Sequence, residues 1–285
     1  MSIDVLQSNI RKCKNPSAVI FAPVYDFLPS GYEKNAVGVG DYCCTLLSAF
    51  RDRVPAIRVD FAAFALLGPG GIEQMQRLMQ CAKSMGYYVI LDWMVLEKAG
   101  AAADRATQLL IGDQYPCDGI SLCSYGGSDC LKPYIAASAK KGQDVFVVLR
   151  TANKSGMEIQ DLQTGGRLVH MAVADLLSGW GEGAGCRCGY SRISAMAGAT
   201  SATSLQLLRK KYPSIFLVVD GLDVSGANAR NASEAFDALG HGAICCSGSS
   251  ILAAWKEHED IDPVEAALDA VERMKRNITR YVTVL

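Results

Sequence analysis

Acidic side chains gather where several short apolar runs of this chain end, and a basic side chain lies among them. Carboxylates at such positions can move protons or hold a divalent cation, and a buried arginine can neutralise them. No spacing among the acids is diagnostic of a metal ion. We therefore favour an internal ion-pair network, in which Arg58 pairs with Asp60 and Asp92, over a magnesium site. The acids are Asp60, Asp92, Glu97, Asp220 and Asp223.

The apolar runs that carry these residues alternate with amphipathic helical patterns along the whole chain. Each run is too short for a helix and almost continuously apolar, as strands buried on both faces must be. The predicted strands are Ala18–Ala22, Ala56–Val59, Tyr88–Asp92, Gly119–Cys123, Val145–Arg150, Ile193–Ala197, Ile215–Asp220 and Ala243–Cys246.

This alternation predicts an α/β fold, a single (β/α)8 TIM barrel that forms one domain over residues 1–285. A dinucleotide-binding sheet is disfavoured because no Gly-x-Gly-x-x-Gly turn follows the first strand. Residues 1–16 form an N-terminal extension and residues 262–285 a C-terminal helix, which opens with Asp262 as N-cap and Pro263 in the first turn. In such barrels the chemistry lies at the C-terminal ends of the strands.

Composition excludes several classes of partner. The net charge is −1 and the basic run at residues 209–211 is short, so we expect no nucleic acid partner. No apolar run reaches the roughly 18 residues of a membrane span, so no membrane partner is expected either. Eleven cysteines, an odd number with two adjacent pairs, make a poor disulfide framework and indicate a reduced, cytoplasmic protein. We expect no metal and no cofactor.

Two segments carry a specific resemblance. Residues 124–133, after the fourth strand, are similar to the Asn-Pro-Tyr-Leu-Gly-x-Asp-Ser-Leu-x-Pro signature of the longer bacterial branch of the orotidine 5′-phosphate decarboxylases. Residues 145–153 and 160–162 resemble that branch's Val-Phe-Val-x-x-Arg-Thr-Ser-Asn and Leu-Gln-Asp-Leu. The likeness runs from about residue 15 to residue 255 and implies shared fold and descent, which does not settle function.

The resemblance also implies a catalytic motif that this chain alters. The family motif is Lys…Asp-x-Lys-x-x-Asp, whose second lysine protonates the carbon that loses CO2 and whose last aspartate reaches the neighbouring subunit. Here Arg58 stands for the first lysine, Asp92 is kept, Met94 replaces the second lysine and Glu97 replaces the last aspartate. A thioether cannot donate a proton. Lys98 is the nearby alternative acid, but it lies past the predicted strand end.

The ligand contacts that the resemblance implies are altered as well. Ala22 stands for a ribose-binding aspartate and Ala152 for a pyrimidine-binding serine. Ser225 replaces the phosphate-binding glutamine, and Ser249 replaces the phosphate-binding arginine. Residues 246–251 could still hold an anion through hydroxyls and backbone amides, or could be no more than a capped helix start. The candidate ligand-binding residues are Asp60, Tyr125, Asn153, Asp220, Ser225, Gly226 and Ser249.

Three functions stay open at this point. The favoured one is a decarboxylase homologue, inactive or very weak in that reaction, which binds a nucleotide or related phosphorylated metabolite. Such a chain would form a homodimer or pair with an active paralogue, because the resemblance implies a shared site. The second is a different lyase on the same barrel that uses Asp92, Glu97 and Arg58. The third is an authentic decarboxylase that converts orotidine monophosphate to UMP with an unusual site.

Overall fold

Eight parallel strands form a closed barrel in the computed structural model, which describes residues 2–93, 104–105, 107–108, 112–258 and 260–284. Each strand pairs with its neighbours in chain order, and β1 closes the barrel against β8. The predicted fold class is thereby confirmed. The strands are β1 Ser17–Phe21, β2 Ala56–Asp60, β3 Tyr88–Asp92, β4 Gly119–Cys123, β5 Asp144–Arg150, β6 Ile193–Gly198, β7 Leu217–Asp220 and β8 Ala243–Ser247.

Strand positions agree with the sequence pattern, and the largest difference lies at the start of β7. The predicted strand begins at Ile215, but the amide of Ile215 donates to the carbonyl of Tyr212 in a turn, so pairing starts at Leu217.

The register between β2, β3 and β4 matters more for function than the exact strand bounds. Asp60 is the partner of Asp92 across β2 and β3, and Asp92 is the partner of Ser121 across β3 and β4. These strand ends therefore lie side by side.

Helices surround the barrel. A two-stranded hairpin, Gln163–Thr164 with Arg167–Leu168, follows β5. The α-helices of the described residues are α1 Ile3–Cys13, α2 Ala36–Ala49, α3 Phe61–Ala65, α4 Pro69–Ser84, α5 Ser128–Lys141, α6 Met157–Gln160, α7 Val169–Trp180, α8 Ala202–Lys211, α9 Ala229–Ser233, α10 Ser249–Leu252 and α11 Pro263–Thr279.

The last helix begins where its capping pattern places it. The Asp262 carboxylate accepts from the amides of Val264 at 2.9 Å and Glu265 at 3.2 Å, and Pro263 needs no such partner. The helix ends at Thr279, so the final residues of the chain lie beyond it.

The N-terminal extension forms a helix that closes the bottom of the barrel. Ile3, Leu6 and Ile10 of α1 are fully buried in the same apolar cluster as Tyr88 and Phe146, whose side chains fill the barrel interior. With that end sealed, a ligand can approach the strands only at their C-terminal ends. Among the described residues, no helix is both long and apolar enough to span a bilayer.

Candidate functional site at the barrel mouth

The Arg58 side chain lies across the mouth of the barrel. Its Nε donates to Asp92 Oδ2 at 2.7 Å, and its Nη1 lies 3.0 Å from Asp220 Oδ1. Arg58 and Asp92 are almost completely buried, whereas the Asp220 carboxylate is partly exposed. The β2 and β7 strands are not neighbours in the barrel, so the long guanidinium side chain bridges opposite parts of the mouth.

Asp92 uses both of its carboxylate oxygens inside the protein. One oxygen accepts from Arg58, and the other accepts from the hydroxyl of Ser121 on β4. The same hydroxyl oxygen accepts from the amide of Trp93 at 3.1 Å. Ser121 is absent from the residues that the sequence predicts, although its inward position follows from strand alternation and from its pairing with Asp92. The Asp92 carboxylate is therefore held in one orientation by its ion pair with Arg58 and by its hydrogen bond from Ser121.

The expected pairing of Arg58 with Asp60 is wrong. Asp60 Oδ1 accepts from the amide of Ala63 at 2.9 Å and caps the short helix α3, so its side chain is turned to its own backbone. Burial raises the pKa of Asp60, and the negative charge of Asp92 adds to this effect. Asp220, from the far side of the mouth, takes the place at Arg58 that the sequence assigned to Asp60.

The electrostatics keep Arg58 charged. Burial alone would lower the pKa of its guanidinium, but the carboxylates of Asp92 and Asp220 outweigh burial and raise it above its ordinary value. Cys246, at the end of β8, faces the same group. Burial raises the pKa of its thiol to about 12, so the thiol is protonated at neutral pH. Neither group is a ready proton donor near neutral pH.

One guanidinium nitrogen in this network is not satisfied. Arg58 Nη1 is buried, and its contact with Asp220 lacks hydrogen-bond geometry despite the short distance. The two facts are compatible, because an ion pair needs only proximity whereas a hydrogen bond also needs alignment. A buried donor without an acceptor is costly, and a bound ligand could supply the missing acceptor.

A second polar cluster joins the loop after β7 to the start of α10. The Asp223 carboxylate accepts from the amide of Gly248 at 2.7 Å and from the hydroxyl of Ser250 at 2.6 Å. The hydroxyl of Ser247 also donates to it, and that of Ser249 does so at a longer 3.4 Å. The donors that the sequence offers for an external anion are thus engaged by a carboxylate of the same chain.

The other candidate residues are spread over the rim. Tyr125 is 78 % exposed on the turn after β4, and Asn153 and Ser225 are exposed on loops after β5 and β7. Gly226 has a φ of 90°, which suits glycine. Ser249 is exposed and donates weakly to Asp223. Of the altered catalytic motif, Met94 and Glu97 lie outside the described residues, as does Lys98.

Ala152 packs closely against the backbone of Gly221, the residue that follows β7. A Cβ on Gly221 would lie 2.2 Å from the Ala152 methyl group, and Gly221 also has a φ of 77°. Only glycine fits there, and the residue Ala152 is buried, with 7 % of its surface exposed. A metal alternative gains no support, since no group of three His, Cys, Asp or Glu side chains within the described ranges is arranged to hold an ion.

Curated relatives share most of the chain. Orotidine 5′-phosphate decarboxylase of Rhodopirellula baltica is 29 % identical over 230 residues, which are 79 % of this chain and 76 % of the relative. The enzyme of the same name from Clostridium tetani is 26 % identical over 265 residues, 91 % of each chain. No family model matches the sequence.

Solved structures agree in fold. Leishmania donovani OMP decarboxylase superposes with a TM-score of 0.76 at 22 % identity, over 98 % of this chain and 99 % of that one. The Plasmodium berghei orotidine 5′-monophosphate decarboxylase gives a TM-score of 0.78 at 12 % identity, over 98 % of both chains. The expected resemblance is confirmed, and the chain is a homologue of the orotidine 5′-phosphate decarboxylases with their barrel.

Proposed function

We propose that this chain is a decarboxylase homologue with little or no decarboxylase activity, which binds a nucleotide or related metabolite at the barrel mouth. The observation that carries the proposal is the Arg58–Asp92 ion pair. In the family motif an aspartate at the position of Asp92 stands against the substrate carboxylate. Here that carboxylate is neutralised by Arg58 and fixed by Ser121. It can therefore destabilise a bound carboxylate much less.

The lack of a suitable proton donor also supports little or no decarboxylase activity. Decarboxylation leaves a carbanion that must take a proton from a nearby acid. Arg58 holds its proton tightly, and the Cys246 thiol has a pKa of about 12. Met94 adds no donor.

The raised pKa of Asp60 favours a second candidate function, a different lyase on the same barrel. This shift makes Asp60 the better acid among the strand-end groups described above. If the chain catalyses such a step, Asp60→Asn should abolish turnover and leave ligand binding intact.

Two features of the mouth would decide how a ligand is recognised. One is the donor Arg58 Nη1, which lacks an acceptor, and the other is the serine cluster, whose donors Asp223 already occupies. Arg58 Nη1 can donate to a carbonyl of the type that pyrimidines carry. A phosphate at the serine cluster must displace Asp223 before it meets the amide of Gly248. We infer that the base and ribose supply most of the affinity, and that a phosphate adds little while Asp223 is in place.

A homodimer is the assembly that we propose. Large apolar side chains are exposed in segments that follow β2, β4 and β5, all at the open end of the barrel, and exposed apolar surface commonly marks interfaces. A paralogous chain is the alternative occupant of this face. The exposed side chains are Leu66, Tyr125, Met157, Ile159 and Leu162.

The test combines turnover with binding on the purified protein. Orotidine monophosphate turnover is followed by loss of substrate absorbance, and UMP and uridine binding by calorimetry. We expect no turnover and measurable heat with both ligands. Turnover in the ordinary enzymatic range, on the order of 1 to 1,000 per second, would refute the proposal.

A variant sharpens the result. Met94→Lys restores the lysine of the motif, but we expect no turnover because Arg58 and Asp223 still occupy the charged positions of the site. Recovery of full activity by this single change would show that the other alterations matter little. Absence of binding by both ligands would reject the nucleotide part of the proposal.

A further inference from the structure

A groove outside the barrel runs between the C-terminal helix α11 and the loop and helix that follow β7. Its cavity volume is about 620 Å3, within the range of roughly 300 to 1,000 Å3 typical of small-molecule sites. Ala270, Met274 and Ile278 contribute an apolar floor from the buried face of α11. Arg58, Asp92 and Asp220 do not line it, and the groove meets the barrel mouth at the serine cluster, through Asp223, Ser247 and Ser250.

Three arginines border this groove. Arg273 lies on α11 and Arg280 is the C-cap residue of that helix, with Asn277 between them, so all three project along one stripe. Arg230 faces them from α9. No ion pair to an acid is formed by any of the three arginines within the described part of the chain.

The concentration of charge is local. The whole chain has a net charge of −1, yet three guanidinium groups line this groove against a single carboxylate. That carboxylate, Asp223, is already hydrogen-bonded to Gly248 and to neighbouring serine hydroxyls. Neighbouring acids do not compensate either, since Glu272 pairs with Arg53 at 3.5 Å. The three arginines are exposed, and an anion in the groove would be attracted by all three charges.

We propose that this groove is a second ligand site, which takes a small molecule with an anionic group and an apolar or aromatic body. The arginines would bind the anion through charge-assisted hydrogen bonds, and the amide of Asn277 adds donors for a polar substituent. The floor formed by Ala270, Met274 and Ile278 would cover the apolar body. The size of the cavity suits a small molecule rather than a protein segment.

The test uses anilinonaphthalene sulfonate, a fluorescent probe that combines an aromatic body with one negative charge. The wild-type protein should give a saturable increase in fluorescence that weakens with added salt. The double variant Arg273→Gln/Arg280→Gln should bind the probe about tenfold more weakly, since each exposed ion pair contributes up to about fivefold. Uridine binding at the barrel mouth should not change.

Arg276→Gln is the matched control. Arg276 lies on the same helix and is exposed, but does not line the groove. We expect the control to bind the probe like the wild type. Equal weakening by Arg276→Gln and by the double variant would reduce the effect to general surface charge and overturn the proposal. Absence of saturable binding to the wild type would overturn it as well, and neither result bears on the nucleotide proposal.

Discussion

Removal of the Asp223 carboxylate is the perturbation that most directly probes the altered mouth. This side chain accepts from the amide of Gly248 and from the hydroxyls of Ser247 and Ser250. If these donors would otherwise meet a ligand phosphate, Asp223 is a competitor for them. Asp223→Ala should therefore strengthen binding of UMP while it leaves binding of uridine unchanged.

The size of the effect follows from the bonds that a phosphate must replace. Two of them are 2.6 and 2.7 Å long, the third is from Ser247, and the bond from Ser249 is too long to add much. A charge-assisted bond at an exposed position contributes about 0.7 kcal/mol once water is counted as the competing partner. Three such bonds amount to about 2 kcal/mol, which corresponds to roughly a 30-fold tighter dissociation constant for UMP.

The assay is calorimetric titration of UMP and of uridine into each protein. Asp269→Ala serves as the matched control, because Asp269 is an exposed acid on α11 that does not line the groove. It removes the same unit of charge without touching the serine cluster. We expect the ratio of uridine to UMP dissociation constants to rise only for Asp223→Ala.

Two outcomes would refute this reasoning. If the wild type already binds UMP at least 30-fold more tightly than uridine, the phosphate does not compete with Asp223. If Asp223→Ala and Asp269→Ala shift UMP binding equally, the effect is one of net charge. Circular dichroism of the variant shows whether the barrel keeps its fold without the Asp223 carboxylate.

Three further predictions concern stability and assembly. Burial raises the pKa of Asp144 from 3.8 to about 7, so the folded chain holds a proton that the unfolded chain loses, and this contribution to stability falls as the pH rises from about 4 to 7. Asp144→Asn, which can still accept from Tyr88, should raise the free energy of unfolding in urea by roughly 3 to 4 kcal/mol at pH 8 and by little at pH 4. Leu66→Lys should dissociate the proposed homodimer in sedimentation experiments, whereas Leu239→Lys, exposed at the opposite end, should not; equal behaviour would exclude the open end as the interface. Asp262→Ala should lower the free energy of unfolding by about 1 kcal/mol through loss of the α11 cap, and Asp262→Ser should restore most of it; no change in urea denaturation would show that the cap adds nothing.

Strand positions could be predicted from the sequence because buried parallel strands are apolar on both faces. The ends of β2, β3 and β7 then fall at Asp60, Asp92 and Asp220, as the apolar runs indicate. Alternation along β2 also places Arg58 on the inner face with the buried barrel residues. What the pattern cannot supply is distance across the barrel, so the sequence pairs Arg58 with Asp60 as well as with Asp92 and does not indicate Asp220 as a partner.

Local hydrogen bonding explains that error. Asp60 is two residues from Arg58, but its carboxylate also lies three residues before the amide of Ala63, where a helix can begin. The short-range cap holds the Asp60 side chain, whereas Arg58 is long enough to reach β7. The sequence does not indicate Ser121 for a related reason: a lone serine in an apolar run carries no signal until its strand neighbour is known.

Two acids at the mouth, Asp220 and Asp223, are not expected from the resemblance. Both have partners within the chain. Asp220 lies beside the guanidinium of Arg58, and Asp223 accepts from Gly248 and Ser250, where the family is expected to bind phosphate. A site whose donors are satisfied only by a bound ligand destabilises the folded protein when it is empty, because those buried or clustered donors lack acceptors. Here the chain itself supplies acceptors at the serine cluster and places a carboxylate beside Arg58, whose Nη1 still lacks an aligned acceptor. A mouth built in this way is stable without substrate, and any ligand must compete with the protein's own carboxylates, which favours discrimination over tight binding.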